Sequence, residues 1–444
     1  MKKILALLLA LVMVFALAAC GSGDKTPATD APTGAPTGEP TGEPTGEPTG
    51  EPTIADLIAA SLDKPADTAN VKAAVDAGTF KIGVILLHNE NIGYDFAHIT
   101  GIKAAQEALG LTNEQIVWKY DIPEDENCYD AAIDLAEQGC NIIFANSFGH
   151  ESFLMRAAAE YPEILFCHAS GQSAATSELP NFVNYFTDVY QSRYVSGVVA
   201  GMKLKELMDA GTVTDPYVGY VGAYPYAEVV SGYTAFFLGV QSIVPEAHMD
   251  VSYTNSWADM TAEAEAANAL MSKGCVIISQ HADTTGAPSA VQATQDAGKT
   301  VYCVGYNVDM LSVAPTAALT SAQNNWGVVY TAIIEAAMKG EAVPRNSAYG
   351  FADDGVQIST LGESCAAGTA EKVAEVEAAL ADGTLNVFDT ANFTVGGAAL
   401  ETYTSSFGFE GLELIWDGYF HESELLAAPL FDIRLDGITE LNAG

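Results

Sequence analysis

The chain runs to 444 residues, and 57 Asp plus Glu against 18 Lys plus Arg leave a formal net charge of −39. That balance argues against a nucleic-acid partner, because backbone binding needs clustered cations. Apolar residues make up 49% of the sequence, enough to bury a large core.

The N-terminus reads as a targeting segment. Lys2 and Lys3 precede an unbroken apolar run from Ile4 to Leu17, and 17 − 4 + 1 gives 14 residues. A membrane span needs about 20; the core of an export signal needs no more than this run offers. The run ends in Leu17-Ala18-Ala19-Cys20-Gly21, which resembles a bacterial lipobox. The resemblance implies a signal peptide over 1–19, cleavage before Cys20 and lipid on its sulfur. Each buried lipid CH₂ would contribute about 0.8 kcal/mol to anchoring. An ordinary secretory signal is the alternative. Pro-Thr-Gly-Glu units then repeat as far as Thr53. Proline at every fourth position blocks helix and sheet pairing, and the scarcity of apolar side chains leaves nothing to form a core. Residues 20–53 therefore read as a linker, reaching roughly 100 Å at ~3.1 Å per residue. A helical lead-in is expected over 54–78.

Beyond Thr53 lie 444 − 53 = 391 residues, a length that suits two domains. Four short runs stand out between 81 and 169: KIGVILL, IVWKY, NIIFA and ILFCHA. Each is β-branched or aromatic and bounded by polar residues or glycine, as buried parallel strands are. Helical patterns such as FAHITGIKAAQEAL and YDAAIDLAEQG separate them, which predicts βαβ units.

The second half repeats the first. Gly139-Cys140-Asn141-Ile142-Ile143 is echoed by Gly274-Cys275-Val276-Ile277-Ile278, an offset of 274 − 139 = 135. At an offset of 136, Gly83 falls on Gly219, Val117 on Tyr253 and Cys167 on Cys303. Four strands recurring in order predict two similar α/β lobes. Cys128, Cys140, Cys167, Cys275, Cys303 and Cys365 read as buried thiols, with disulfides left open for an exported chain.

Ligands of open α/β sheets bind beyond the carboxyl ends of the strands, so two such lobes can share a cleft. The first lobe offers His88 to Tyr94, Asn146 to His150, and His168 to Ser170 at those ends. The second offers Tyr224 to Glu228, Asn255 to Asp259, Gln280 to Asp283, and Tyr306 to Asp309. Rings and uncharged hydrogen-bonding groups dominate, carboxylates occur, and Lys and Arg are absent from every turn. An anionic ligand calls for an arginine fork or a lysine, so a neutral or cationic planar ligand fits better. Tyr94, Phe148 and Trp257 can stack on a heterocycle, while Glu228, Asp283 and Asp309 can accept hydrogen bonds from its rim. Each ring could equally pack its lobe, Glu228 could cap a helix, and His281 with Asp283 has no third residue spaced to complete a metal site.

Longer stretches resemble the basic membrane protein (BMP) family of ABC-transporter substrate-binding lipoproteins, which includes purine nucleoside receptors. They are GYDFAHITG (93–101), NSFGHESFLMRAAAEYPEILFCHASG (146–171), RYVSGVVAG (193–201), PYAEVVSGYTAFFLGVQS (225–242), NSWAD (255–259), ISQHADT (278–284) and QNNWG (323–327). The resemblance implies an α/β, type I periplasmic-binding-protein fold, with two Rossmann-like lobes joined by a three-crossover hinge. Its expected division gives 79–186 plus 319–345 to lobe 1 and 187–318 plus 346–399 to lobe 2, with 400–444 as an extension packed on lobe 2. It implies a purine nucleobase or nucleoside delivered to a membrane permease, no cofactor and no catalytic residue. The ligand-binding set it implies is Tyr94, Phe96, Phe148, Glu228, Trp257, His281, Asp283 and Asp309. Tyr94 stands where relatives carry tryptophan, and Tyr306 and Asn307 also depart from the commoner residues. The expectation is a monomer anchored through Cys20 to the outer face of a Gram-positive-type cell membrane. A sugar-binding protein is the nearest alternative. A secreted α/β hydrolase would need a Gly-x-Ser-x-Gly elbow, and a sensory receptor domain a spanning segment after the fold; neither motif is found.

Overall fold

The computed structural model describes residues 53–405, 409 and 411–443. The expected signal peptide, Cys20 and nearly all of the proline repeat lie outside the described residues. Thr53, the repeat's last residue, opens the fold. It caps the helix Ile54–Leu62, its hydroxyl accepting from the Asp56 amide at 3.2 Å while Asp56 accepts from the Thr53 amide at 2.9 Å. A second helix, Ala69–Ala77, completes the lead-in.

Two parallel sheets come next. The first holds β1 (Ile82–Ile85), β2 (Ile116–Lys119), β3 (Ile142–Ala145), β4 (Leu165–Ala169) and β5 (Phe182–Thr187). The second holds β6 (Tyr217–Gly222), β7 (His248–Tyr253), β8 (Ile277–His281), β9 (Tyr302–Tyr306) and β10 (Ala318–Asn324). β11 (Asn346–Tyr349) adds to β5, and β12 (Val356–Ile358) adds antiparallel to β10. β13 (Ile415–Trp416) and β14 (Tyr419–Phe420) form a small hairpin, and β15 (Ile438–Glu440) adds to β7. The sheet orders are β2-β1-β3-β4-β5-β11 and β15-β7-β6-β8-β9-β10-β12. Five strands in each run in the same spatial order, so the sequence echo is a repeat of topology.

The repeated residues have local causes. Gly139 and Gly274 take left-handed backbone, φ 81° and 114°, where the helices Glu126–Glu137 and Met260–Lys273 end. Cys140 and Cys275 then enter the sheets, both buried. Gly83 and Gly219 lie where those same helices cross: a Cβ on Gly83 would sit 2.8 Å from Leu135, and one on Gly219 3.1 Å from Leu270. All six described cysteines are free thiols.

The chain crosses between lobes three times: after β5, after β10 and after β11. The helix Val189–Asp209 packs on Ala227–Gln241 in the second lobe, and Trp326–Lys339 packs on Gly93–Leu109 in the first. The crossings are tied together. The Asp188 amide donates to Tyr349 O at 2.8 Å, the Thr187 hydroxyl to Asn324 Oδ1 at 2.5 Å, and the Asn325 amide to Gly355 O at 2.8 Å.

Two boundaries differ from expectation. Residues 319–324 belong to the second lobe, because β10 pairs with β9, and residues 346–349 belong to the first, because β11 pairs with β5. β10 reads Ala-Leu-Thr-Ser-Ala-Gln-Asn, too polar to announce a buried strand. The C-terminal extension shares one core with the second lobe, where Leu414, Leu426 and Phe431 join the buried cluster that also holds Phe236 and Phe237. It also reaches the first lobe, where the Ala427 amide donates to Asn346 Oδ1 at 2.6 Å.

Candidate functional site

The carboxyl ends of the two sheets face each other around a narrow hollow lined from both lobes. Six of the eight expected ligand residues line it: Tyr94, Phe148, Glu228, Trp257, His281 and Asp283. Phe96 and Asp309 do not. Both line a separate depression, with Phe96 45% exposed and the Asp309 carboxylate capping a short 3-10 helix through the Leu311 amide at 2.9 Å. The reason is helical phase: Phe96 lies two positions beyond Tyr94 on the helix Gly93–Leu109, about 200° around it.

On the first-lobe side, the Tyr94 hydroxyl donates to Asn146 O at 2.9 Å. Buried Asp95 ties the rim together, accepting from the His88 amide at 3.1 Å and from Asn146 Nδ2 at 2.8 Å. Phe148, 38% exposed, follows β3 and faces Tyr226 of the other lobe at 5.9 Å between centroids. On the second-lobe side, Trp257 packs edge-on against Tyr224 at 5.3 Å, and its carbonyl accepts from the Asp283 amide at 2.8 Å. Asn307 Nδ2 donates to Asp283 Oδ1 at 3.1 Å. The two rims touch directly as well, since the Gly93 amide donates to Asp283 O at 3.0 Å.

Burial sets the charge state of these groups. It pushes the Glu228 carboxyl up to about 7, with Arg193 opposing. It pushes Asp283 well above the usual carboxylate range, and neighbouring Asp95 adds to the shift. It holds His281 well below its ordinary value, Arg193 adding to the effect. His281 Nε2 and Glu228 Oε1 are 3.3 Å apart. A neutral carboxyl both donates and accepts, so Glu228, Asp283 and His281 offer hydrogen bonds of both senses.

Several lining residues were not in the expected set. His88, Asn146, Ser170 and Tyr306 stand in the strand-end turns, so their position was the available signal. Arg193 was missed for a different reason: it lies on the helix Val189–Asp209, away from any strand end. It is fully buried behind Tyr306, so the absence of cations from the turns does not leave the site without positive charge. Among the described residues, no cluster of His, Cys, Asp or Glu could hold a metal ion.

Duplicated parallel sheets, three crossings and a hollow between facing strand ends define a type I periplasmic-binding-protein fold. A solute-binding protein from Aeropyrum pernix K1 matches it with a TM-score of 0.60 at 15% identity, covering 72% of this chain and 94% of its own. A family model described as Bmp, ABC transporter substrate-binding protein PnrA-like, matches residues 92–382. A purine-binding protein of Brucella abortus is 31% identical over 310 residues, 69% of this chain and 83% of its own. A putative ABC transporter glucose-binding protein of Haloferax volcanii is 28% identical over 329 residues, 74% of this chain and 77% of its own. A further model, described as a PT disordered repeat, matches residues 27–56. The chain belongs to the Bmp family of PnrA-like ABC transporter substrate-binding proteins.

Proposed function

We propose that the chain captures a purine nucleobase or nucleoside between its lobes and presents it to a membrane permease. One observation carries the reading: Tyr94 and Phe148 from one lobe and Trp257 from the other line a single hollow with Glu228, His281 and Asp283. Flat rings suit a flat ligand, and groups that both donate and accept suit the mixed edge of a purine. The Brucella relative's name points the same way. Ligand touching both rims binds the closed arrangement better and shifts the population toward it. No covalent step is required. The protein acts as a monomer, held to the outer face of the membrane by lipid on Cys20.

A sugar is the second reading, favoured by the Haloferax relative's name and by the habit of sugars to stack on rings and bond to carboxylates. Thermal-shift screening of adenosine, inosine, guanosine, adenine, glucose and arabinose separates the two. A ligand at 100 times its dissociation constant stabilises the fold by about 2.7 kcal/mol. Shifts with purines alone are expected; shifts with sugars alone would overturn the purine reading.

A further inference from the structure

The C-terminal extension lies beyond residue 382, where the family match ends, yet one of its loops enters the cleft. Glu422 closes that loop, its Oε2 accepting from the Leu430 and Phe431 amides at 2.9 Å each. The loop is fixed to both lobes. Leu426, Leu430 and Phe431 join the buried cluster of the second lobe. Ala427 turns the other way. It is fully buried in the first-lobe cluster that holds Phe144 and Tyr185, and its amide donates to Asn346 Oδ1 at 2.6 Å.

Ala428 and Pro429 come next, and they line a narrow hollow between the lobes. Ser170 and Gln172 of the first lobe line it too, as do Tyr226 and Ala227 of the second. Phe148 and Glu228 line both this hollow and the strand-end hollow, so the two adjoin. Ala428 is 5% exposed and Pro429 is buried, so this wall consists of small side chains packed close. It is also stiff. Proline fixes its own φ and restricts the residue before it. The residues on either side are anchored, Ala427 to Asn346 and Leu430 to Glu422. Where a wall cannot recede, a misfit in volume is felt as lost affinity.

We infer that Ala428 and Pro429 form a third wall of the ligand site, supplied by the extension, and that this wall limits the size of the ligand. The inference rests on ligand binding in the strand-end hollow, whether that ligand is a purine or a sugar.

Titration calorimetry on the full chain tests it with two graded pairs, adenine with adenosine and arabinose with glucose. The second member of each pair is the larger. In the pair that wild type binds, Ala428→Leu should weaken the larger member by about tenfold or more, the scale of a methylene misfit in a closed pocket. The smaller member should lose markedly less. Ala428→Gly, which draws the wall back by one methyl group, should shift the affinity ratio roughly fourfold toward the larger member. It carries the test if Ala428→Leu does not fold. A fault elsewhere in the fold would weaken both members alike, so equal losses would overturn the inference. So would a ratio unchanged from wild type in the folded variants. If wild type binds none of the four probes, the strand-end reading fails and takes this inference with it. If wild type binds and the ratio holds, this inference alone falls.

Discussion

The guanidinium carbon of Arg193 lies 3.7 Å above the centre of the Tyr306 ring, and Tyr306 lines the strand-end hollow. Arg193 Nη1 donates to Gln280 O at 2.5 Å, while Nε and Nη2 make no hydrogen bond. A buried cation so sparsely bonded is held chiefly by the ring and by the field of Glu228 and Asp283, both of whose carboxyls it pulls downward. Arg193→Met should therefore lower stability by about 3 kcal/mol, the scale of breaking one side of a buried charged contact. Arg193→Lys should not restore it, because an ammonium cannot lie flat on the ring. Urea unfolding measures both; wild-type stability in Arg193→Met would show the guanidinium to be idle.

Trp257 leaves the second sheet after β7 and sits at the hollow's rim, packed only partly against Tyr224 and Tyr226. Removing the ring takes away a stacking surface without opening the main core. Trp257→Ala should cost about 1–3 kcal/mol of ligand affinity, the range for a ring stacked on a base. The far-ultraviolet spectrum should not change. Calorimetry with the ligand that the screen returns is the measurement, and an unchanged dissociation constant would remove Trp257 from the site.

The strands that carry the site were legible because each is short, apolar and repeated. KIGVILL, NIIFA and ILFCHA became β1, β3 and β4, and the matching runs near an offset of 136 became β6, β8 and β9. β10 was not legible, since Ala318–Asn324 gains its burial from the neighbours on its edges and not from its own hydropathy. Tyr94, Phe148 and Trp257 could be placed together because position after a strand is a topological fact. Phe96 and Asp309 could not be judged that way, because helical phase and capping turn their side chains elsewhere. Arg193 escaped for the same kind of reason: it approaches the site from a helix that the strand-end rule does not cover. The extension after residue 400 is apolar because it enters the same buried cluster as Phe236 and Phe237, a placement that no local pattern announces.

Glu228 gives a pH test whose sign is fixed by its environment. Its folded carboxyl titrates near 7 against an ordinary value of 4.5, with burial as the leading cause. Between those values the folded state holds a proton that the unfolded state has lost, so stability from this group falls as pH rises through the window. Buried His281, held well below its ordinary 6.5, works in the opposite direction, losing stability as pH falls below 6.5. Comparison with Glu228→Gln isolates the acid. The melting temperature of ligand-free wild type minus that of the variant should decline from pH 4.5 to 7 and level off above. A difference that is flat across that range would mean that Glu228 is solvated as an ordinary carboxylate.

Gly93 offers the sharpest test of closure. Its amide joins the first lobe to Asp283 O of the second at 3.0 Å. A Cβ at this position would stand 3.0 Å from that same oxygen and 3.7 Å from Val308 Cγ2. Nothing on its own helix, Gly93–Leu109, requires glycine there, so a branched side chain would obstruct the meeting of the lobes and little else. Gly93→Val should leave the ligand-free melting temperature near that of wild type. It should weaken ligand binding by about tenfold or more, because affinity is reduced by whatever fraction of closed molecules is lost. Small-angle scattering adds an independent readout: wild type should contract on adding ligand, and the variant should contract less. Wild-type affinity with full contraction in Gly93→Val would mean that ligand is held without the lobes meeting at this contact.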